Sequence, residues 1–170
     1  MSESVIHVDG SSGVLRYLDL TVPCVIGRGG LCPAQAKREG DGCTPVGDWP
    51  VRGALIRRDR VSLDSAPLIP WRWLREGDGW SDDPLDPAYN YPVRLPRGFS
   101  HEVLCRLDNA YDIIVVLGHN DRTPVPGMGS AIFFHIHPGD KPTEGCVAIA
   151  PEAMRALLPR IQPGTVMHIA

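Results

Sequence analysis

Short hydrophobic runs, separated by polar segments rich in glycine and proline, recur along this chain and predict β-strands. The strongest run covers residues 112–117 (Asp-Ile-Ile-Val-Val-Leu). It is β-branched and apolar on both faces, which predicts a central strand. Residues 131–136 predict a second central strand. Residues 151–158 predict a helix, because a proline opens the segment, its large apolar side chains share one face, and another proline follows.

The remaining segments add strands and loops around this centre. Two apolar segments, 5–8 and 14–20, flank Asp-Gly-Ser-Ser-Gly at 9–13 and predict a β-hairpin. Other predicted strands are 22–26, near 49–57 and 164–169, with a loop at 33–47 and irregular coverage containing short strands at 62–100. Together, these predicted elements form a mainly β domain with one or two short helices packed on it.

Length and composition limit the class of protein. The chain has 170 residues, which predicts a single domain over residues 1–170. The net charge is −3 with both signs scattered, so no nucleic-acid partner is expected. No run is long and apolar enough to predict a membrane span. Residues 1–4 lack the basic and apolar regions of a secretory leader, so no leader is expected there.

One region combines a thiol, imidazoles and a glycine. A predicted strand ends on His135 and His137, and Gly145 directly precedes Cys146 a few residues later. Cysteine attacks as the thiolate, which a neighbouring imidazole generates near neutral pH. Glycine before the nucleophile lets a substrate carbonyl approach the local amides. The region therefore predicts acyl transfer by Cys146; the alternative is an inert buried thiol.

The other cysteines and histidines leave choices open. Five cysteines are an odd number, so at least one is free or pairs with a second molecule. Cys24, Cys32 and Cys43 are able to pair in an oxidising compartment, but without a Cys-x-x-Cys spacing we favour ordinary thiols. The spacing of His135 and His137 resembles a metal-ligand pair. Further ligands at recognisable spacing are absent from the sequence, so no metal site is expected.

A set of short motifs occurs in order between residues 20 and 150. They are residues 37–47 (Lys-Arg-Glu-Gly-Asp-Gly-Cys-Thr-Pro-Val-Gly), 57–60, 79–84 with Tyr89 and Asn90, 116–121 (Val-Leu-Gly-His-Asn-Asp), and 131–135 with 143–146. Taken together, they resemble the YkuD-type L,D-transpeptidase family. Only the Gly-Cys segment is specific by itself; the ordered set is specific as a whole.

The sequence departs from the better-known members of that family at three points. Ile136 follows His135 where those members have glycine, and Ala148 stands where they carry arginine. The gap of eleven positions from His135 to Cys146 is also short. The chain instead resembles a compact proteobacterial branch with a Pro-Thr-Glu-Gly-Cys-Val-Ala motif.

The resemblance implies a β-sandwich-like L,D-transpeptidase catalytic domain that forms peptidoglycan cross-links through a thioester. It implies that Cys146 is the nucleophile, that His135 is the base, and that Gly145 clears the approach to the amides. Substrate contacts are expected from His119, His137, Thr143 and Arg122. For His119, a strand-end histidine bound by backbone carbonyls is the alternative. Peptidoglycan stem peptides are the expected donor and acceptor, no cofactor is implied, and the location is the periplasm. We expect a monomer.

Three other functions compete with this interpretation. An L,D-carboxypeptidase or amidase would use the same thioester with water as the acceptor. A non-catalytic domain that binds wall peptides would have no need of both a thiol and a base. A cytosolic redox or metal module would fit the missing leader but not the ordered motifs. The sequence leaves the choice between 3–3 and 1–3 linkages open.

Overall fold

The computed structural model describes residues 4–137 and 139–170 of the chain. Within them lie these strands: Val5–Asp9 (β1), Val14–Tyr17 (β2), Leu20–Val25 (β3), Leu31–Pro33 (β4), Thr44–Ile56 (β5), Trp71–Trp73 (β6), Asp78–Ser81 (β7), Pro92–Arg94 (β8), His101–Val103 (β9), Ile113–Leu117 (β10), Phe133–Ile136 (β11), Val147–Ile149 (β12) and Val166–Ile169 (β13). One α-helix, Pro151–Leu157 (α1), continues into a 3-10 turn at Leu158–Arg160. The described residues are therefore mainly β with one short helix, which confirms the predicted fold class.

Two sheets form a sandwich, and two strands that they share, β3 and β5, close its edges. One sheet has the order β3-β2-β1-β13-β5, and the other has the order β5-β10-β11-β12-β3. Strand β5 pairs with β13 through its first part and with β10 through its last part. Strand β3 divides in the same way between β2 and β12. Because both sheets share these strands, the edges that an open sandwich would expose are paired.

Most of the buried apolar side chains lie between the two sheets. Strand β11 presents Phe134 and Ile136 to this core, while Phe133 belongs to a second apolar cluster on the opposite face. This alternation follows from the two-residue period of a strand. The second cluster also contains Tyr111, Ala131 and Cys146, so the outer face of β11 is where the candidate chemistry lies.

A small antiparallel sheet, β8-β7-β9, covers that outer face. Trp80 of β7 packs edge-on against Phe133, with ring centroids 5.1 Å apart. Short strands were predicted in the region 62–100, and β6, β7 and β8 lie there, with β9 immediately after it. The small sheet forms one wall of a cleft above β11.

Some predicted boundaries were wrong. The predicted strand 14–20 is divided by a turn in which Leu18 has φ of 54°, so that β2 folds back onto β3. The predicted loop 33–47 ends earlier, since β5 begins at Thr44 and pairs in parallel with β4 there. Pairing with β4 extended β5 beyond what its own sequence indicates.

Asn90 joins three parts of the chain through its buried side chain. Its Nδ2 donates to the carbonyl oxygens of His119 and Asn120 (3.1 and 2.7 Å). Its Oδ1 accepts from Trp80 Nε1 (2.9 Å) and from the amide of Ala131 (3.0 Å). Ala131 has φ of 51°, a conformation that costs an alanine about 1–2 kcal/mol. The hydrogen bond from Asn90 helps to hold Ala131 in that conformation at the edge of the cleft.

We expect Asn90→Ala to lower the free energy of unfolding by at least about 3 kcal/mol. Four buried polar partners would lose their hydrogen bonds, and each buried group left unpaired costs about 1–3 kcal/mol. Urea denaturation followed by circular dichroism measures the change. Asn109→Ala is the control, since the structure shows no hydrogen bond from that side chain to the described residues. If Asn90→Ala lowers the free energy of unfolding by no more than Asn109→Ala does, the role given to Asn90 is contradicted.

Candidate active site

The pairing of β11 with β12 brings His135 and Cys146 to one cleft. The two strands are parallel, with His135 opposite Ala148, so Cys146 lies just before β12 and beside Phe133. The Phe133 amide lies 3.4 Å from Cys146 Sγ, and the thiol donates to the Ala131 carbonyl at 3.2 Å. Both His135 and Cys146 line the cleft.

Thr143 holds the turn that leads to the thiol. Its amide donates to the carbonyl of Ile26 (2.9 Å), and its own carbonyl accepts from the amide of Arg28 (2.8 Å). Its hydroxyl donates to the Cys146 carbonyl at 2.6 Å and accepts from the Gly145 amide at 3.2 Å. Thr143 therefore fixes the backbone around the thiol. It also lines the cleft, where a ligand would contact it.

Gly145 occupies a position that excludes a side chain. Its φ is 138°, which L-residues rarely adopt. A β-carbon there would lie 3.0 Å from the carbonyl oxygen of Cys43. A β-carbon on Gly27 would lie 2.9 Å from the Gly145 α-carbon. The backbone before the thiol is therefore closely packed on one side and uncovered on the cleft side.

His135 is held in one tautomer. Its Nδ1 lies 2.7 Å from the Ile136 carbonyl oxygen and 3.1 Å from that of Ala110. Both partners only accept hydrogen bonds, so Nδ1 carries the proton and Nε2 keeps its lone pair. Burial lowers the pKa of His135 to about 4, so the ring is neutral at pH 7. A neutral imidazole with a free Nε2 has the form that a general base requires.

The Cys146 thiol is protonated at rest. Burial raises its pKa to about 12, and the negative charge of Glu102 acts in the same direction. The residue as a whole is 7% exposed. The resting cleft therefore favours neutral sulfur, and a thiolate would form there only by transfer of the proton to a base.

Cys32 and Cys43 form a disulfide bond, with their α-carbons 5.9 Å apart. The expectation that they are ordinary thiols was wrong. The parallel pairing of β4 with the start of β5 brings the two cysteines together, and this contact is not visible as a local sequence spacing. Cys24, Cys105 and Cys146 are free.

Among the described residues, one group has the composition of a metal site: Cys32, Asp41 and Cys43. Both of its sulfur atoms are bonded to each other in the disulfide.

The cleft has a volume of about 540 Å³. It contains five residues singled out from the sequence: His135, His137, Thr143, Gly145 and Cys146. It also contains charged and aromatic residues to which sequence analysis gave no role in the site. These are Lys37, Glu39, Asp82, Glu102, Arg106 and Tyr111.

The aromatic and acidic part of the cleft is connected to the histidine. The Tyr111 hydroxyl donates to Glu102 at 3.0 Å, and the Tyr111 ring lies edge-on to His135 with centroids 5.1 Å apart. Burial raises the pKa of both Tyr111 and Glu102. The sequence around these two residues carries no signal of this role, since only the fold brings Glu102 of β9 and Tyr111, which precedes β10, to the cleft with His135.

His119 and Arg122 lie outside the set of residues that line the cleft. His119 is 5% exposed and packs edge-on against Trp49, with ring centroids 4.8 Å apart. Its Nδ1 has no hydrogen-bond partner among the described residues. Arg122 is exposed. Substrate contact by these two residues stays a prediction.

Among the described residues, no helix has the length and apolar character needed to cross a membrane.

The two buried histidines predict a loss of stability on mild acidification. Burial holds the pKa of His119 and of His135 at about 4, against about 6.5 in an unfolded chain. Between pH 6.5 and 4 the unfolded chain therefore binds more protons, so stability is present above 6.5 and is lost as the pH falls. From pH 7.0 to 5.5 we expect a decrease on the order of 2 kcal/mol in the free energy of unfolding.

Urea denaturation at the two pH values measures this change. His119→Gln should remove about half of the pH dependence, because one of the two buried imidazoles is then absent. Equal stability of the unmodified protein at pH 7.0 and 5.5 would contradict the prediction.

Comparison with known proteins agrees with the fold and the motifs. A family model described as the L,D-transpeptidase catalytic domain, YkuD, matches residues 3–169. Similar solved structures include the Ldtfm–avibactam carbamoyl enzyme (12% identity, TM-score 0.50, 100% of this chain and 49% of that one). They also include an L,D-transpeptidase from Xylanimonas cellulosilytica (15%, TM-score 0.46, 99% and 61%) and a mutant L,D-transpeptidase from Enterococcus faecium (15%, TM-score 0.47, 100% and 50%).

This chain spans between about half and three fifths of the length of those solved chains. No curated protein matches it at a significant level. The family model covers nearly the whole chain, and the described residues have the mainly β fold that the motifs predict. The protein belongs to the YkuD family of L,D-transpeptidase catalytic domains.

Proposed function

We propose that this protein is a cysteine-dependent L,D-transpeptidase that joins peptidoglycan stem peptides through a thioester intermediate. The observation that carries the proposal is the placement of Cys146 and His135 in one cleft, with His135 Nδ1 bound to backbone carbonyls. This arrangement leaves Nε2 of a neutral imidazole to take the thiol proton. Membership of the YkuD family supports the substrate class.

The proposed reaction has two acyl-transfer steps. His135 Nε2 takes the proton from Cys146 Sγ, the sulfur attacks an amide carbonyl attached to an L-configured centre, and the carbonyl π electrons move onto oxygen. The imidazolium then protonates the leaving amine, and a thioester remains. An amine of a second stem peptide attacks the thioester, and its proton goes to His135 as the thiolate leaves.

Backbone amides near Gly145 and Cys146 were the expected oxyanion donors. The Gly145 amide donates to the Thr143 hydroxyl, so it is engaged within the turn. We therefore assign the oxyanion contact to the Cys146 amide. Removing one such donor costs about 2.7–4 kcal/mol of transition-state stabilisation in enzymes where it has been measured.

The charges of the cleft suit a peptide that carries both signs. Lys37, Arg106 and Lys141 provide positive charge, and Glu39, Asp82 and Glu102 provide negative charge. Position 148, where better-known relatives carry arginine, holds an alanine that is fully buried, so no cation reaches the cleft from there. We propose the L-centre of diaminopimelate (3–3 linkage) or the first L-alanine (1–3 linkage) as the donor, with neither preferred.

We propose that the domain extends over residues 1–170, is a monomer and acts outside the cytoplasm, in the periplasm. The Cys32–Cys43 disulfide supports this location, because disulfides persist in oxidising compartments and are rare in the cytosol. The family's action on the cell wall supports the same location.

Incubation with purified muropeptides, followed by tandem mass spectrometry, tests the reaction. We expect dimers with L,D-type links, which Cys146→Ala should not form. Loss of a terminal D-alanine marks 3–3 transfer, while release of the rest of the donor stem marks 1–3 transfer. Cleaved monomers without dimers would identify a hydrolase. Binding without any new product would identify a wall-peptide-binding domain, and D,D-links alone would overturn the proposed specificity.

His135→Ala should abolish turnover, with a loss of about 10²–10⁴-fold in kcat, because only this imidazole is held with a free Nε2 in the described cleft. His137→Ala and His119→Ala should reduce turnover only partially. Steady-state rates with muropeptides measure these effects, and circular dichroism checks that each variant is folded. An active His135→Ala together with an inactive His137→Ala would show that the base is His137.

A further inference from the structure

Lys37 places a buried ammonium in the wall of the cleft. It follows a 3-10 turn, Ala34–Ala36, between β4 and β5, and its side chain is 3% exposed. Lysine is rarely buried to this extent unless its charge is paired. Its partner is the Asp41 carboxylate, which is 26% exposed. The ammonium is therefore shielded from solvent, while the carboxylate is in contact with it.

Two glycines make room for this side chain. The stem of Lys37 passes Gly129, where an added β-carbon would lie 2.9 Å from Lys37 Cγ. The ammonium ends beside Gly145, where an added β-carbon would lie 3.5 Å from Nζ. Gly129 and Gly145 both have positive φ (93° and 138°), so both positions are unfavourable for other residues. The backbone is shaped to admit the lysine next to the residue that precedes the thiol.

The loop that carries Lys37 is fixed at several points. The Cys32–Cys43 disulfide closes it. Asp41 accepts from the amides of Arg38 (2.7 Å) and Cys43 (2.9 Å), so the carboxylate that holds the ammonium is itself held. A charge fixed in this way acts without the reorganisation that a mobile surface lysine would need.

The charge of the Lys37 ammonium counteracts the effect of burial, which disfavours the thiolate form of Cys146. Burial raises the pKa of Cys146, Glu102 raises it further, and Lys37 lowers it. The ionisable groups around the thiol are Lys37, Glu102, Tyr111 and His135, and those that face the ammonium are Asp41 and His119. Arg106 and Lys141 also line the cleft, but Lys37 is the cation among the described residues whose charge acts on the Cys146 thiol while His135 is neutral.

We propose that Lys37 is the fixed cation of this active centre, stabilising first the thiolate of Cys146 and then the negative charge that develops on the attacked carbonyl oxygen. The inference rests on the proposed function for the reaction itself. Lys37 keeps its proton throughout, since the thiol proton moves to His135 and returns on the leaving amine. Its contribution is electrostatic.

Alkylation of Cys146 tests this role without any wall peptide. The reagents are iodoacetamide, which is neutral, and iodoacetate, which is an anion, and peptide mapping measures the rate at Cys146. A neighbouring charge that lowers a thiol pKa by one unit raises the thiolate fraction about ten-fold. The accompanying loss of intrinsic nucleophilicity offsets this about three-fold. We therefore expect Lys37→Met to slow the reaction with iodoacetamide about three-fold.

The anionic reagent separates charge from structure. An ammonium near the thiol attracts iodoacetate, so Lys37→Met should reduce the ratio of the iodoacetate rate to the iodoacetamide rate by a further factor of about five. Lys37→Arg should keep the ratio of the unmodified protein. Arg16→Met is the control, because it removes an exposed positive charge that lies outside the cleft and makes no side-chain hydrogen bond to the described residues, so it should leave both rates unchanged.

Lys37→Met leaves Asp41 without its cation, so Lys37→Met/Asp41→Asn is the second variant, in which both charges are removed. Circular dichroism checks that each variant is folded, and the double variant should show the same reduced ratio. If the ratio in both variants equals that of the unmodified protein, Lys37 is structural and the inference is wrong. If Cys146 of the unmodified protein reacts with neither reagent, the nucleophile assignment fails, and the inference fails with it.

Discussion

The parallel pairing of β11 with β12 is the interaction on which the site depends. A shift of one residue in this register would turn the side chains of one strand to the opposite face. With His135 opposite Ala148, the imidazole and the thiol both face the cleft rather than the core. Parallel neighbours are usually joined by a dozen or more residues. Here the connection is residues 137–146, and Thr143 fixes its end through hydrogen bonds to the chain around β3.

Burial disfavours the charged forms of both His135 and Cys146. The same buried surroundings that keep His135 neutral, and so able to accept a proton, also keep Cys146 protonated. In the proposed mechanism, a neutral pair at rest means that charge appears only when substrate is attacked. Positive charge fixed in the wall then has its largest effect, because few water molecules screen it. The buried ion pair of Lys37 with Asp41 is compatible with this requirement.

The cleft also needs a wall that stays in place above β11. Asn90 connects the small sheet to the end of β10 and to Ala131, whose carbonyl accepts a hydrogen bond from the Cys146 thiol. Trp80 completes the connection by packing on Phe133. A buried polar side chain with all of its hydrogen bonds made specifies one arrangement of the segments around it. The motif residues Tyr89-Asn90 and His119-Asn120 thus belong to the scaffold of the cleft as well as to its sequence signature.

The sequence by itself determined the strand content, the two central strands, the short helix and the ordered motifs that carry the family resemblance, because these depend on local apolar patterns and fixed spacings. It also singled out His135, Gly145 and Cys146 as neighbours along the chain. Only the tertiary structure decided that Cys32 bonds to Cys43, that β5 begins at Thr44, and that Lys37, Glu102 and Tyr111 line the cleft. Each of these depends on how separate segments pack together, even where the segments are close along the chain, as Cys32 and Cys43 are at a separation of 11 residues. The apolar pattern and the motif spacings describe each segment by itself and carry no information about which segments will be in contact.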